Sequence, residues 1–146
     1  MMLAFVPAFV RYVIWGFEVL VLPPYCYAAI GIVVSLVAAI IKQKPFSSSE
    51  VRRDTLRIVA AQLLIFIVTV SIAVAGYVDW TNYHGANERA LHLETALGAV
   101  SVVLSIYWVI RIKGYRWYAA SLSLLQLLVL AGANFVAGMS LTGTWL

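Results

Sequence analysis

Residues 57–78 read RIVAAQLLIFIVTVSIAVAGYV. No Asp, Glu, Lys or Arg lies between Arg57 and Asp79. A transmembrane helix needs about 20 mainly apolar residues, and this stretch supplies them without a break. It is too long and too continuous for a barrel strand, which alternates apolar and polar positions. Lipid cannot satisfy backbone polar groups, so helix is the default for such a run. Three further runs repeat the pattern, at Tyr25–Ile41, Leu91–Ile110 and Tyr118–Met139. The sequence therefore predicts an all-α integral membrane protein, with residues 23–146 forming a four-helix transmembrane bundle.

Composition agrees. Of 146 residues, 64% are hydrophobic and 11% charged. Soluble domains have roughly 45–50% and about 25%. Four spans and short connections use most of the length, which leaves no room for a soluble domain. The net charge of +4 comes from basic residues in two short loops, not from a basic face. Nucleic acid is therefore not an expected partner; the lipid bilayer is. Cys26 is the single cysteine, so neither an intrachain disulfide nor a multi-cysteine metal site can form. A small apolar filler is its ordinary role.

Met1–Leu22 is apolar enough to span, but Arg11 falls at its middle. A charge there costs about 2.5–3.5 kcal/mol on insertion scales. Arg11, Trp15 and Glu18 fall at i, i+4 and i+7, which makes one polar stripe. We expect residues 1–22 to form an interfacial helix, with a fifth span as the alternative. The first residues carry no basic n-region, and no small-residue cleavage site precedes Pro23-Pro24. The start is read as part of the mature chain.

Local signals mark the helix ends. Ser47-Ser48-Ser49-Glu50 contains a Ser-x-x-Glu capping box, with Ser47 as the cap and Glu50 answering it. The second helix is then expected to begin near Glu50, ahead of its apolar run. Asn87 is a plausible cap for the third. Lys42, Lys44, Arg52, Arg53 and Arg57 crowd one connection, and Arg111, Lys113 and Arg116 another. The positive-inside rule places loops 42–57 and 111–117 in the cytoplasm, and loop 79–90 and the C-terminus on the outer side. Tyr77, Trp80 and Tyr83 then mark the outer interface, and Tyr107, Trp108, Tyr115, Trp117 and Tyr118 the inner one.

Each span carries small or weakly polar residues at helical spacing. They are Ala28, Gly31, Ser35 and Ala38; then Gln62, Thr69, Ala73 and Gly76; then Gly98, Ser101 and Ser105; and finally Ala119, Ser123, Gln126, Ala133 and Ala137. Small residues let helices approach closely in lipid, where apolar burial gives no drive. Packing within one bundle is the ordinary reading. The sharper one gives a stripe to a partner subunit. Gln62, Gln126 and Asn134 are expected to bond across helices rather than to bind a ligand. No Lys, Arg, Asp or Glu is expected at mid-span, which argues against a pump acting alone.

Chemistry is sought in the outer stretch Gly76–Thr95, GYVDWTNYHGANERALHLET, with both histidines and the acids Asp79, Glu88 and Glu94. If the third helix begins at Glu88, Glu88 and His92 share a face at i, i+4. His84, Glu88, His92 and Asp79 are the candidate metal ligands. His92, His84, Trp80 and Tyr83 are the candidates for a haem b or quinone shared with a partner subunit. Capping, salt bridging and interface anchoring explain the same residues without any ligand. No phosphate-binding loop, Ser-His-Asp set or HExxH motif is present, so an enzyme is not expected.

Gly76-Tyr77-Val78-Asp79-Trp80 resembles the Gly-x-x-Asp-Trp signature of small four-helix, cytochrome-b-like membrane proteins of bacteria and archaea. These are of unassigned function, and some are fused to Rieske iron–sulfur domains. The resemblance covers roughly Leu22 to Gly138, and His92 matches the histidine that opens the family's next span. It implies a four-helix fold in a redox setting. It departs at Leu22-Pro23-Pro24-Tyr25, where the family has histidine–proline pairs, so any haem ligands there are missing.

The expectation that follows is an accessory or anchoring subunit of a larger membrane complex, respiratory or electron-transferring, without its own catalytic centre. The alternatives are a small haem- or quinone-binding electron-transfer protein and an outer-face metal-binding protein.

Overall fold

The computed structural model describes residues 10–11, 13–15, 23–83 and 88–142, without the side chains of residues 23, 76–83 and 140. It is helical throughout. Helix α1 covers Pro23–Gln43, α2 Ser49–Tyr83, α3 Glu88–Arg111 and α4 Arg116–Thr142, with a 3-10 turn at Pro45–Ser47. Each of the four helices contains a segment long and apolar enough to cross a membrane. The chain is a multi-pass membrane protein.

The helix ends have local causes. Pro23 and Pro24 open α1, where a proline costs no hydrogen bond. Lys44 ends it in the left-handed conformation, with φ 46°, and Pro45 follows. The chain then turns on its own side chains. Ser47 Oγ donates to the Lys44 carbonyl at 2.8 Å. Ser48 Oγ accepts from the Val51 amide at 3.4 Å. The cap of α2 is therefore Ser48, one residue later than the capping box places it, because Ser47 is spent on the turn. Gly114, at φ 87°, makes the matching reversal between α3 and α4. A side chain at that φ would be strained.

Helix α2 has 35 residues, about 52 Å at 1.5 Å per residue. It overshoots a hydrocarbon core of about 30 Å. It reaches Tyr83, and α3 starts at Glu88. The connection expected over 79–90 is therefore mostly helix.

Helix α4 is the centre of the packing. It lies against α1, α2 and α3, and α2 also packs on α3. Among the described residues, α1 has α4 as its main helical neighbour. The bundle is thus a three-helix core with α1 packed mainly on α4. Ser35 and Ser121 share a hydrogen bond of 2.9 Å, and Trp117 Nε1 donates to Ser35 Oγ at 2.9 Å. Gln43 accepts from the Tyr118 amide at 2.9 Å.

Two apolar clusters close the ends. Ala39, Val51, Ile58, Trp108, Ile112, Tyr118 and Ala119 meet at the end that carries the basic segments. Val70, Ala73, Val74, Ala133, Val136 and Ala137 meet at the opposite end. Val13 and Trp15 pack against this second cluster, with Arg11 stacked 5.3 Å over the Trp15 ring. Glu18, the third residue of the expected N-terminal stripe, lies outside the described residues. The surface is the apolar side of the molecule: Ile30, Val34, Leu64, Val103, Ile106 and Ile110 are all more than half exposed. So much bare apolar surface suits lipid and not water.

Candidate functional site in the bundle interior

The outer-stretch candidates do not assemble into a centre among the described residues. His92 and Glu88 stand one turn apart on α3, as expected, and both are exposed. Asp79, Trp80 and Tyr83 fall on the last turns of α2, but their side chains lie outside the described residues, as does His84 entirely. No group of three or more His, Cys, Asp or Glu side chains able to hold a metal occurs among the described residues. Cys26 is a free, half-buried thiol.

The polar chemistry lies inside instead, on a ladder between α2 and α3. Thr55, Gln62 and Thr69 are all buried, and so are Glu94, Ser101 and Trp108. Each set repeats every seven residues, which keeps one face turned to the neighbour along two helices that coil left-handedly. The helices run antiparallel, so 62 meets 101, 69 meets 94, and the same register aligns 55 with 108.

The middle rung is complete. Gln62 Nε2 donates to the Ser101 carbonyl at 3.2 Å and to Ser105 Oγ at 3.1 Å. Ser101 Oγ donates back to Gln62 Oε1. This carboxamide bonds across helices, as expected of it.

The rung at Glu94 is different. The sequence groups Glu94 with the outer polar stretch, whereas the structure buries it between helices. It is 4% exposed, six residues into α3 and so about 9 Å along its axis. The Thr69 side chain faces its carboxyl group. One turn deeper, Gly98 leaves room for Asn134 of α4, whose Nδ2 would stand 3.3 Å from any Cβ placed there. Glu94 Oε1 and Oε2, Thr69 Oγ1 and Asn134 Oδ1 are all buried without a hydrogen-bond partner among the described residues. An unpaired buried acceptor costs about 1–3 kcal/mol, and an ionised one more. Thr69 stands at the level of Glu94, and Asn134 lies one turn deeper, at Gly98. The periodicity of seven was the signal that could have found Glu94.

A second interior feature is a cleft between α2 and α4. Its volume is about 270 Å³, and it is lined by Val59, Gln62, Leu63, Phe66, Leu125, Gln126, Val129 and Leu130. Gln126 Oε1 is buried and unpartnered. The rest of the wall is almost wholly apolar.

The end carrying the basic segments is tied together by charge. Asp54 pairs with Arg57 at 3.5 Å and with Arg111 at 3.6 Å, and Lys42 stacks 5.6 Å over the Trp117 ring. The two basic segments therefore share one end of the bundle. No family model, curated protein or solved structure matches the chain.

Proposed function

We propose that the chain is an accessory or anchoring transmembrane subunit of a larger membrane complex, without a catalytic centre of its own. One observation carries the reading. Helix α1 leaves Ala28 and Gly31 exposed, with nothing among the described residues within 4 Å of a Cβ added at Gly31. The same small-residue pattern on α2, α3 and α4 is buried at Ala73, Ser101 and Ala133. Small residues gain nothing by facing lipid; they serve where another helix approaches. The basic end faces the cytoplasm, by the charge rule. The electron-transfer setting of the complex rests on the Gly76–Trp80 resemblance alone.

A photo-crosslinking residue at position 31, in native membranes, tests the contact. An adduct with one discrete polypeptide is expected, and the same residue at Val103, on the lipid side of α3, should give none. Equal, diffuse labelling at both positions would contradict the reading.

The cleft between α2 and α4 favours a second reading, a small quinone-binding electron-transfer protein. An apolar wall with one free carboxamide oxygen suits a lipid-soluble ring. Solvent extraction of the purified protein, followed by an ultraviolet spectrum, should then recover about one quinone per chain, lost in Gln126→Leu. An extract without quinone removes this reading.

A further inference from the structure

We propose that the outward face of α2, at the basic end of the bundle, binds one anionic glycerophospholipid. Arg52, Arg53 and Arg57 hold its phosphate, and an acyl chain lies over Ala60. The proposal rests on α2 spanning the membrane. It does not depend on the subunit reading or on which leaflet the basic end meets.

Depth places the arginines among headgroups. No charged residue lies between Arg57 and Asp79, a run of about 31 Å along the helix axis. It matches a hydrocarbon core of about 30 Å. Arg57 therefore stands at the edge of the hydrocarbon. Arg53 is about 6 Å further out. The headgroup layer is about 5–7 Å thick on each side, so these two turns of α2 cross it.

The face that carries them is uncovered. Val51, Thr55, Ile58 and Gln62 turn inward and are buried. Arg52, Arg53, Leu56, Arg57 and Ala60 are all exposed. With Ser49 and Glu50 they line an open recess of about 640 Å³. Ala60 is small, so a chain passing below the arginines can lie close to the helix. Leu63 and Leu64 follow, each more than half exposed, and continue the face into the hydrocarbon.

Charge selects the headgroup. Three arginines and one glutamate line the recess, which leaves a positive excess. Arg52 and Arg53 make no ion pair among the described residues. Asp54 is shared between Arg57 and Arg111, one carboxylate against two guanidinium groups, so Arg57 keeps free donors. The planar guanidinium fork matches a phosphate. A zwitterionic lipid would bring its own cation into a site that already has an excess. A soluble anion would gain nothing from the apolar step at Leu56 and Ala60, whereas a lipid fills both parts at once.

The test is native mass spectrometry of the delipidated full chain in detergent, titrated with dioleoyl phosphatidylglycerol or dioleoyl phosphatidylcholine. In about 0.15 M ammonium acetate the Debye length is about 8 Å, which suppresses diffuse attraction. One phosphatidylglycerol per chain is expected to bind and saturate ahead of any further adduct, with phosphatidylcholine much weaker. Arg52→Gln/Arg53→Gln leaves the Asp54 pairs intact and should weaken that first adduct by about 10–30-fold. Ala60→Trp keeps every arginine and fills the recess; it should weaken binding several-fold. Lys113→Gln/Arg116→Gln removes the same charge from the same end, outside the recess, and should change binding little. Circular dichroism checks that each variant keeps its helices. Glycerol 3-phosphate in large excess should leave the lipid bound. Equal binding of the two lipids, undiminished binding in both α2 variants, or an equal loss in Lys113→Gln/Arg116→Gln would overturn the proposal. So would displacement by glycerol 3-phosphate, which would assign the site to a soluble phosphate.

Discussion

Glu94 and Gln62 occupy the same ladder and differ in what surrounds them. Gln62 has both ends of its carboxamide engaged by Ser101 and Ser105. In lipid, apolar burial adds little between helices, so such bonds carry much of the cohesion. Each is worth about 0.6 kcal/mol on average and up to about 1.7. Gln62→Leu is therefore expected to destabilise the bundle by about 1–2 kcal/mol, measured by unfolding in a denaturing detergent. Gly98→Val should cost about 1–3 kcal/mol by the same measurement, since its branched side chain would press on Asn134. The residue scale was only half legible in sequence. Gln62, Thr69 and Ser101 stood out because polar residues are rare inside apolar runs. Glu94 did not, because it sits six residues after Glu88 in a stretch already rich in acids and histidines. Its burial depends on which face of α3 meets α2, and composition carries no such information. His92, two residues earlier, points elsewhere for the same reason.

At the scale of helices, the four spans read from apolar runs fall inside the four helices found. The helices outlast the runs. Helix α2 continues to Tyr83 and α4 to Thr142, because once a helix is nucleated each added residue brings its own hydrogen bond. Hydropathy sees only where lipid ends, not where the backbone changes course. The cap of α2 moved from Ser47 to Ser48 because three consecutive serines offer the same side chain, and the turn at Lys44 takes the first. The sequence could not show that α1 stands apart. Its stripe of Ala28, Gly31, Ser35 and Ala38 resembles the others, yet only its lower part is packed, at Ser35 and Ala38. Trp117 and Ser121 hold that part. Trp117→Phe removes the donor to Ser35 and keeps a smaller aromatic ring under Lys42. It should loosen α1 from α4 by about 0.6–1.7 kcal/mol, seen as faster proteolysis within residues 42–48 and little change in the unfolding of α2–α4.

The whole molecule is a three-helix core of α2, α3 and α4 with α1 against α4. Its exterior is rich in apolar side chains, as expected where lipid is the solvent, and its interior combines two apolar clusters with a ladder of buried polar groups. Length and hydropathy predicted the apolar exterior, and the charge asymmetry between loops predicted that Lys42–Arg57 and Arg111–Arg116 share an end. The Asp54–Arg111 pair ties those two segments together. Which helix sits at the centre was not legible, since every span offered a packing stripe and none was marked as the hub. The face left over, on the upper half of α1, is what supports a partner. The most direct test is the mass of the native assembly after gentle detergent extraction, for wild type and Gly31→Leu. The account predicts that the wild type, 16.1 kDa as a single chain, runs within a larger complex containing a different polypeptide, and that Gly31→Leu releases it still folded. A wild-type chain that runs alone, or only with copies of itself, would contradict the account.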